Sequence, residues 1–236
     1  MSLIRNYSQA QFFKRDWLFF LASIIFFAAL PNFDLYFTNL WWTPDQKFIY
    51  ENTPWVQLSY LIFSKAHFLY LGILILVILK ELISGRLKSA LTKKSVFVII
   101  ALLLGPGLVV NQVFKQNWGR ARPNEVVQFG GPNTYSAPLE ISNQCESNCS
   151  FVSGHASGGF FILTLTWALR RRRWFWIGLI SGSLVGLGRI LQGGHFLSDI
   201  VFAFWTVYFS SQLTAALFGI KSPRNDNDND HTQLFK

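Results

Sequence analysis

Residues 95–114 read SVFVIIALLLGPGLVVNQVF, a stretch without one charged side chain. A spanning α-helix needs about 20 mostly apolar residues, because each adds about 1.5 Å across a hydrocarbon core about 30 Å thick. The run lacks the period-two alternation of a membrane strand, so it reads as a transmembrane helix. Five similar segments flank it: about Trp17–Leu30 (extendable to Tyr36), His67–Ile83, Gly158–Leu169, Trp174–Ile190 and Ile200–Phe218. Gly158–Leu169 is short unless it begins within Phe151–His155. The composition agrees: 51% of residues are hydrophobic and 14% charged, against about 25% charged in soluble proteins. The expected fold class is all-α, a polytopic membrane protein with six transmembrane helices. Residues 1–220 read as one integral membrane domain, and 221–236 as a polar, disordered tail with Asn-Asp repeats. Arg5, Lys14 and Arg15 precede the first segment as in a signal peptide. No small-x-small cleavage site follows before Pro31-Asn32-Phe33-Asp34, so the segment is kept as a helix.

The net charge is +9. Its cations punctuate apolar segments rather than forming one soluble basic face, which favours anionic lipid as neighbour and argues against nucleic acid. With six crossings and a cytoplasmic N-terminus, the cytoplasmic side receives Arg5, Lys14, Arg15, Lys80, Arg86, Lys88, Lys93, Lys94, Arg170 to Arg173, Lys221, Arg224 and Lys236. That is 15 of the 21 Lys and Arg, a strong positive-inside bias that puts both termini in the cytoplasm. Lys47, Lys65, Lys115, Arg120, Arg122 and Arg189 fall on the other side. Between the first two helices, Pro54, Trp55, Tyr60 and Phe63 suggest a segment lying in the interface, with aromatic rings at headgroup level.

Three polar stretches share that extracytoplasmic face. Lys115 is followed after six residues by Arg122-Pro123. Ser153-Gly154-His155 opens the fourth helix. Arg189 is followed after five residues by His195, and after three more by Asp199. Two planar Arg forks and a Lys point charge suit the oxygens of a phosphate ester. Ser153 and the Gly154 N–H add donors, and glycine lets the backbone come close. His195 and Asp199 lie four residues apart, on one face of a helix. The carboxylate can accept from one imidazole nitrogen and leave the other to attack phosphorus. His155 can protonate the leaving oxygen and then activate water. Three cations already neutralise the phosphoryl group, and the carboxylate cluster that magnesium needs is missing, so neither a metal nor another cofactor is expected. Intramembrane ionisable groups are functional candidates by default. Cys145 and Cys149, an even pair outside the cytoplasm, suggest a disulfide bracing the loop before Ser153; free thiols are the alternative. Two sulfurs do not complete a zinc shell. Glu140 and Glu146 read as solvated loop charges.

At these residues the chain resembles the type 2 phosphatidic acid phosphatase superfamily, whose pattern is Lys-x6-Arg-Pro, then Pro-Ser-Gly-His, then Ser-Arg-x5-His-x3-Asp. Val152 stands where the family has Pro, and Gly188 where it has Ser. The resemblance implies that Lys115, Arg122, Ser153, Gly154 and Arg189 bind phosphate, that His195 is the nucleophile with Asp199 its partner, and that His155 is the general acid. Leu30-Pro-Asn-Phe-Asp34, Phe129-Gly130-Gly131 and the run Cys145–Ser157 look like the bacterial lipid A phosphatase branch. That likeness implies a multi-pass protein of the bacterial inner membrane, a periplasmic site and a phosphorylated membrane lipid as substrate. Phosphatidylglycerophosphate, undecaprenyl diphosphate, phosphotransfer to an acceptor other than water and a non-catalytic lipid-binding role are the alternatives. Oligomeric state is not legible.

Overall fold

The computed structural model of the chain describes residues 2–43, 45 and 47–223. Among them the chain is helical and holds no strand; extended pairing is confined to two isolated bridges, Trp42 with Phe48 and Val126 with Asn133. In chain order the helices are α1 (Ser2–Ala10), α2 (Asp16–Ala29), α3 (Phe33–Asn39), α4 (Pro54–Ser64), α5 (Ala66–Ile83), α6 (Ala90–Leu102), α7 (Lys115–Asn117), α8 (Gly154–Phe160), α9 (Leu165–Ala168), α10 (Arg173–Leu191) and α11 (Leu197–Leu217). Of the polar tail expected from residue 221, residues 224–236 lie outside the described residues.

Each of the six apolar runs folds as helix. The first becomes α2 and α3, bent by 82° where Pro31 interrupts the ladder. The third is continuous over Ala90–Asn117. Its middle, Leu103–Phe114, widens to π-helical bonding around Pro106. Proline cannot donate to the ladder and crowds the preceding turn, so the backbone there bonds over a longer interval. The fourth run forms α8 and α9, joined by a tighter 3-10 turn at Phe161–Thr164. By length and composition four stretches qualify as spans: Ala66–Ile83, Ala90–Asn117, Arg173–Leu191 and Leu197–Leu217. The bent α2–α3 pair makes a fifth if taken as one span. The fourth apolar run, divided into α8, the 3-10 turn and α9, is not among them; the all-α membrane class expected from the sequence holds.

Helix α11 is the axis. Of its apolar window 67% is buried, against 11% for α5, so α5 presents Leu69, Ile73, Leu76 and Ile83 outward, as a lipid-facing helix does. Inside, Phe202, Trp205 and Tyr208 of α11 join Phe160, Trp167 and Phe175 in one core. Lipid tails are as apolar as these side chains, so tight packing rather than water exclusion must hold the helices together. A glycine stripe on α10 supplies it. A Cβ on Gly178 would lie 2.3 Å from the Leu163 nitrogen, one on Gly182 2.1 Å from the Phe160 ring, and one on Gly186 2.4 Å from Ile200. Spaced four apart on one face, the three glycines let α10 approach α8, the 3-10 turn and α11 more closely than any side chain would permit.

Polar bonds tie the α1–α2 region to α9, to the middle of α11 and to the segment that follows it. Tyr208 Oη donates to Asp16 Oδ2 (2.9 Å), Trp167 Nε1 to the Ala10 carbonyl (2.7 Å) and the Ser222 N–H to the Gln9 carbonyl (2.9 Å).

Gly178→Val should therefore lower the melting temperature of purified protein in detergent by several degrees, since overpacking a tight contact costs about 1–3 kcal/mol. Gly72→Ala is the control: nothing lies within 4 Å of its Cβ. It should leave the melting temperature unchanged or raise it slightly, and a scan of thermal stability on both variants checks the contrast.

Candidate active site

The three polar stretches sit at helix ends, and the fold draws those ends together. Lys115 closes the third apolar run and is 7% exposed. Its Nζ donates to Asn148 Oδ1 (3.2 Å) and the Cys149 carbonyl (3.1 Å). The chain then turns at Gly119 (φ +65°), where a Cβ would stand 1.7 Å from the Ser142 carbonyl oxygen. Arg122 follows, and its Nη2 donates to the Asn148 carbonyl at 2.9 Å. Cys145 and Cys149 are disulfide-bonded with Cα atoms 5.6 Å apart, inside the roughly 7 Å a bridge tolerates. The bridged loop therefore supplies Asn148 and Cys149, the acceptors that hold Lys115 and Arg122. Glu140 and Glu146 are exposed, and Glu140 only caps the Ala137 N–H.

Ser153 caps α8: its Oγ accepts the Ala156 N–H at 3.3 Å, so its own proton is still available to a ligand. Its N–H donates to the Asp199 carbonyl at 3.1 Å, which fixes the start of α8 against the start of α11. A Cβ on Gly154 would meet Lys115 Cε at 3.2 Å and Asn111 Oδ1 at 3.7 Å, so glycine here keeps space open beside the lysine. The ring of His155 stacks on Tyr60 of α4, centroids 4.7 Å apart, and its Nε2 is buried without a partner among the described residues. Tyr60 also lies under the Arg189 guanidinium, 4.8 Å from ring centroid to Cζ. The interfacial segment read from the sequence is thus a helix whose tyrosine forms one wall of the site.

Arg189 is 7% exposed, donates from Nη1 to Gln192 Oε1, and buries Nε without a partner among the described residues. Such an orphaned donor in a buried place is costly unless something arrives to meet it. Gly194 makes room for this side chain, since a Cβ would fall 2.1 Å from Nη2. The Gly188 departure has a steric reason as well: a Cβ there would come within 3.1 Å of Ser59 Oγ on α4.

His195 is 1% exposed and Asp199 fully buried. Their contact runs from Nδ1 to Oδ2 at 3.3 Å. Oδ2 also accepts the Ser150 hydroxyl (2.5 Å) and the Phe196 N–H (2.9 Å), while Oδ1 accepts from Arg120 Nη1 (2.7 Å). Burial, followed by the charges of Lys115, Arg189 and Arg122 and by His155, holds the His195 imidazole well below its ordinary pKa. It is therefore neutral at pH 7. Burial, followed by the charges of Arg189, Lys115 and Arg122 and by His67, lowers the His155 pKa to about 3. All eight residues expected from the sequence meet in this one cluster. Among the described residues no group of three or more His, Cys, Asp or Glu is placed to hold a metal ion.

The sequence reading did not single out four other participants. Arg120 was only counted as a charge, Asp34 and Ser150 only as parts of short likenesses, and Tyr60 only as an interfacial aromatic. Arg120 carried the one usable signal, a cation two residues from Arg122 in a chain where cations are scarce.

The sequence pattern of the PAP2 superfamily matches residues 95–221. A lipid A 4'-phosphatase of Francisella tularensis subsp. novicida (strain U112) is 38% identical over 204 residues, which cover 82% of this chain and 89% of that protein. A lipid A 4'-phosphatase of Rhizobium leguminosarum is 27% identical over 201 residues, 76% of this chain and 84% of the relative. One of Rhizobium etli (strain ATCC 51251 / DSM 11541 / JCM 21823 / NBRC 15573 / CFN 42) is 37% identical over 103 residues, 42% of this chain and 40% of the relative. No solved structure matches. With more than half its length inside the family pattern, and the three polar stretches drawn into one cluster, the chain belongs to the PAP2 superfamily.

Proposed function

We propose that this protein is a membrane lipid phosphatase that removes the 4'-phosphate of lipid A at the periplasmic face of the bacterial inner membrane. The observation that carries the chemistry is the neutral His195, its Nδ1 on Asp199, beside Lys115, Arg122 and Arg189. The relatives named as lipid A 4'-phosphatases, one of them matching over 82% of the chain, carry the substrate. The positive-inside count carries the orientation.

In this reading the phosphate enters between the three cations and brings acceptors for the orphaned Arg189 Nε and the Ser153 hydroxyl. Asp199 fixes the Nδ1–H tautomer, and His195 Nε2 attacks phosphorus. The bond from phosphorus to the sugar oxygen breaks as the N–P bond forms, and His155 gives that oxygen its proton. The bound phosphate offsets the cations around His155 and so favours the imidazolium needed for this step. Water, deprotonated by His155, then attacks the phosphohistidine and releases inorganic phosphate. The preorganised donors stabilise the charge that grows on the phosphoryl oxygens; loss of one costs on the order of a hundredfold to a thousandfold in rate.

Purified protein in detergent with chelator should release phosphate from lipid A, and product mass spectra should place the loss at the 4' position. Phosphatidylglycerophosphate, phosphatidic acid and undecaprenyl diphosphate should be poor substrates. Release confined to those lipids would keep the chemistry and overturn the substrate. His195→Ala should lower kcat by at least a thousandfold and abolish acid-labile, alkali-stable labelling of the protein by 32P-lipid A; unchanged turnover would end the phosphohistidine reading.

The lowered pKa of His195 has a stability consequence. Below the unfolded value of about 6.5 the unfolded chain takes up a proton that the native imidazole refuses, so stability falls as pH drops from 7 towards 5. His195→Gln lacks this group, and its melting temperature should fall less over that interval than that of the unsubstituted protein. An equal fall in both would assign the acid sensitivity to other groups.

A further inference from the structure

Arg120 is fully buried and every nitrogen of its guanidinium is engaged. Nη1 donates to Asp199 Oδ1 (2.7 Å) and Ser198 Oγ (2.8 Å), Nη2 to Asp34 Oδ2 (2.8 Å), and Nε to the Ser136 carbonyl (3.2 Å). The Phe196 ring lies under it, 4.3 Å from Cζ to centroid. Asp34, fully buried in the first turn of α3, accepts the Ser198 N–H at 3.0 Å on Oδ1 and the Ser198 hydroxyl on Oδ2. A carboxylate from the first helical hairpin therefore satisfies a backbone donor at the start of α11, one residue before Asp199. Through one guanidinium it is also bonded to the carboxylate that contacts His195.

We infer that Asp34 and Arg120 are positioning residues for the phosphoryl-transfer reaction: the buried Asp34–Arg120–Asp199 triad aims Asp199 at His195 Nδ1 and sets how strongly it accepts from it. The inference deepens the proposed function and rests on His195 as nucleophile. Its physical core is a shared cation. With both carboxylates present, the positive charge of Arg120 is divided between them, and Asp199 keeps electron density for the imidazole N–H. Without Asp34 the charge bears on Asp199 alone, and the Ser198 N–H loses its acceptor. Asp199 then becomes a poorer and less fixed partner for His195. Arg120 suits the position because its planar fork reaches two carboxylates from separate nitrogens; the ammonium of lysine is a point donor. Asp34 lies outside residues 95–221, the part of the chain that matches the family pattern, so this arrangement draws the first hairpin into the catalytic apparatus.

The test combines steady-state kinetics on lipid A with 15N spectra of histidine-labelled protein, which contains four histidines; His195→Gln assigns the His195 signals. In the unsubstituted protein His195 should appear as the neutral tautomer protonated at Nδ1. Asp34→Asn, judged folded by gel filtration and thermal stability, should lower kcat at least tenfold with KM within about twofold. It should also weaken the His195 Nδ1–H hydrogen-bond signature or mix in the other tautomer. A folded Asp34→Asn with unchanged kcat, with its loss confined to KM, or with an unaltered His195 spectrum would overturn the inference. Should Asp34→Asn fail to fold, Asp34→Asn/Arg120→Gln removes the two charges as a pair. In the double variant no cation bears on Asp199, so its acceptor strength is not reduced but its direction is lost: a mixture of His195 tautomers supports the inference, and an unaltered His195 spectrum overturns it. Absence of phosphate release from every lipid by the unsubstituted protein would remove the phosphatase reading and the kinetic role with it, while the Asp34→Asn spectrum still decides whether the triad aims Asp199 at His195.

Discussion

A single guanidinium, that of Arg120, sits where the helices carrying the chemistry meet the helices that enclose them. It is fully buried and joins Asp34 of the first hairpin to Asp199 of the central helix. Burial works against its charge, and the Asp199 and Asp34 carboxylates more than reverse that effect, raising its pKa. Such a group is stable only in company: removing one partner of a buried ion pair costs about 3–5 kcal/mol, because a charge is left behind with no solvent. The start of α11, the bend between α2 and α3 and the orientation of Asp199 are therefore one structural decision.

Around that centre the site divides its requirements by where each residue stands. Backbone acceptors of a disulfide-braced loop hold Lys115 and Arg122, because a loop can be stapled into shape. Helix starts hold Ser153 and Asp199, which need fixed direction more than reach. Glycines at 154 and 194 leave room beside the Lys115 and Arg189 side chains, which a Cβ would crowd. The α10 stripe then brings α8 and α11 close enough for these pieces to form one cluster. Its contacts are with the Leu163 backbone, the Phe160 ring and the β-branched Ile200, which yield less than long flexible side chains do.

Much of this is written in the chain. Six apolar runs are visible because hydrocarbon imposes length and composition directly on sequence. The eight expected site residues are visible because ionisable groups are scarce in such a chain and their spacing is fixed. The residues that escaped are those whose role depends on long-range pairing. Nothing local to Asp34 says that its partner is Arg120, and nothing local to Tyr60 says that it stacks on His155. Hydropathy marks the run beginning near Gly158 but not its division into α8, a 3-10 turn and α9, none of which is long enough alone to span. The disulfide was one of several readings of two cysteines until the loop geometry brought them within bridging distance.

The separation of Asp34 and Arg120 by 86 residues bears on how the protein is made. Chains emerge N-terminus first, so the first hairpin leaves the ribosome well before its counter-charge exists. An aspartate at the centre of a bilayer is unfavourable by about 2.5–3.5 kcal/mol on insertion scales. Until Arg120 arrives, the carboxyl group must either take up a proton or wait near the headgroups. The short α3, turned 82° from α2, gives the nascent hairpin a way to keep that end shallow. Final seating of α3 is thereby postponed until the third helical run has been inserted. A segment made early is thus among the last to settle, and Asp199 acquires its full set of partners only when the whole bundle has closed.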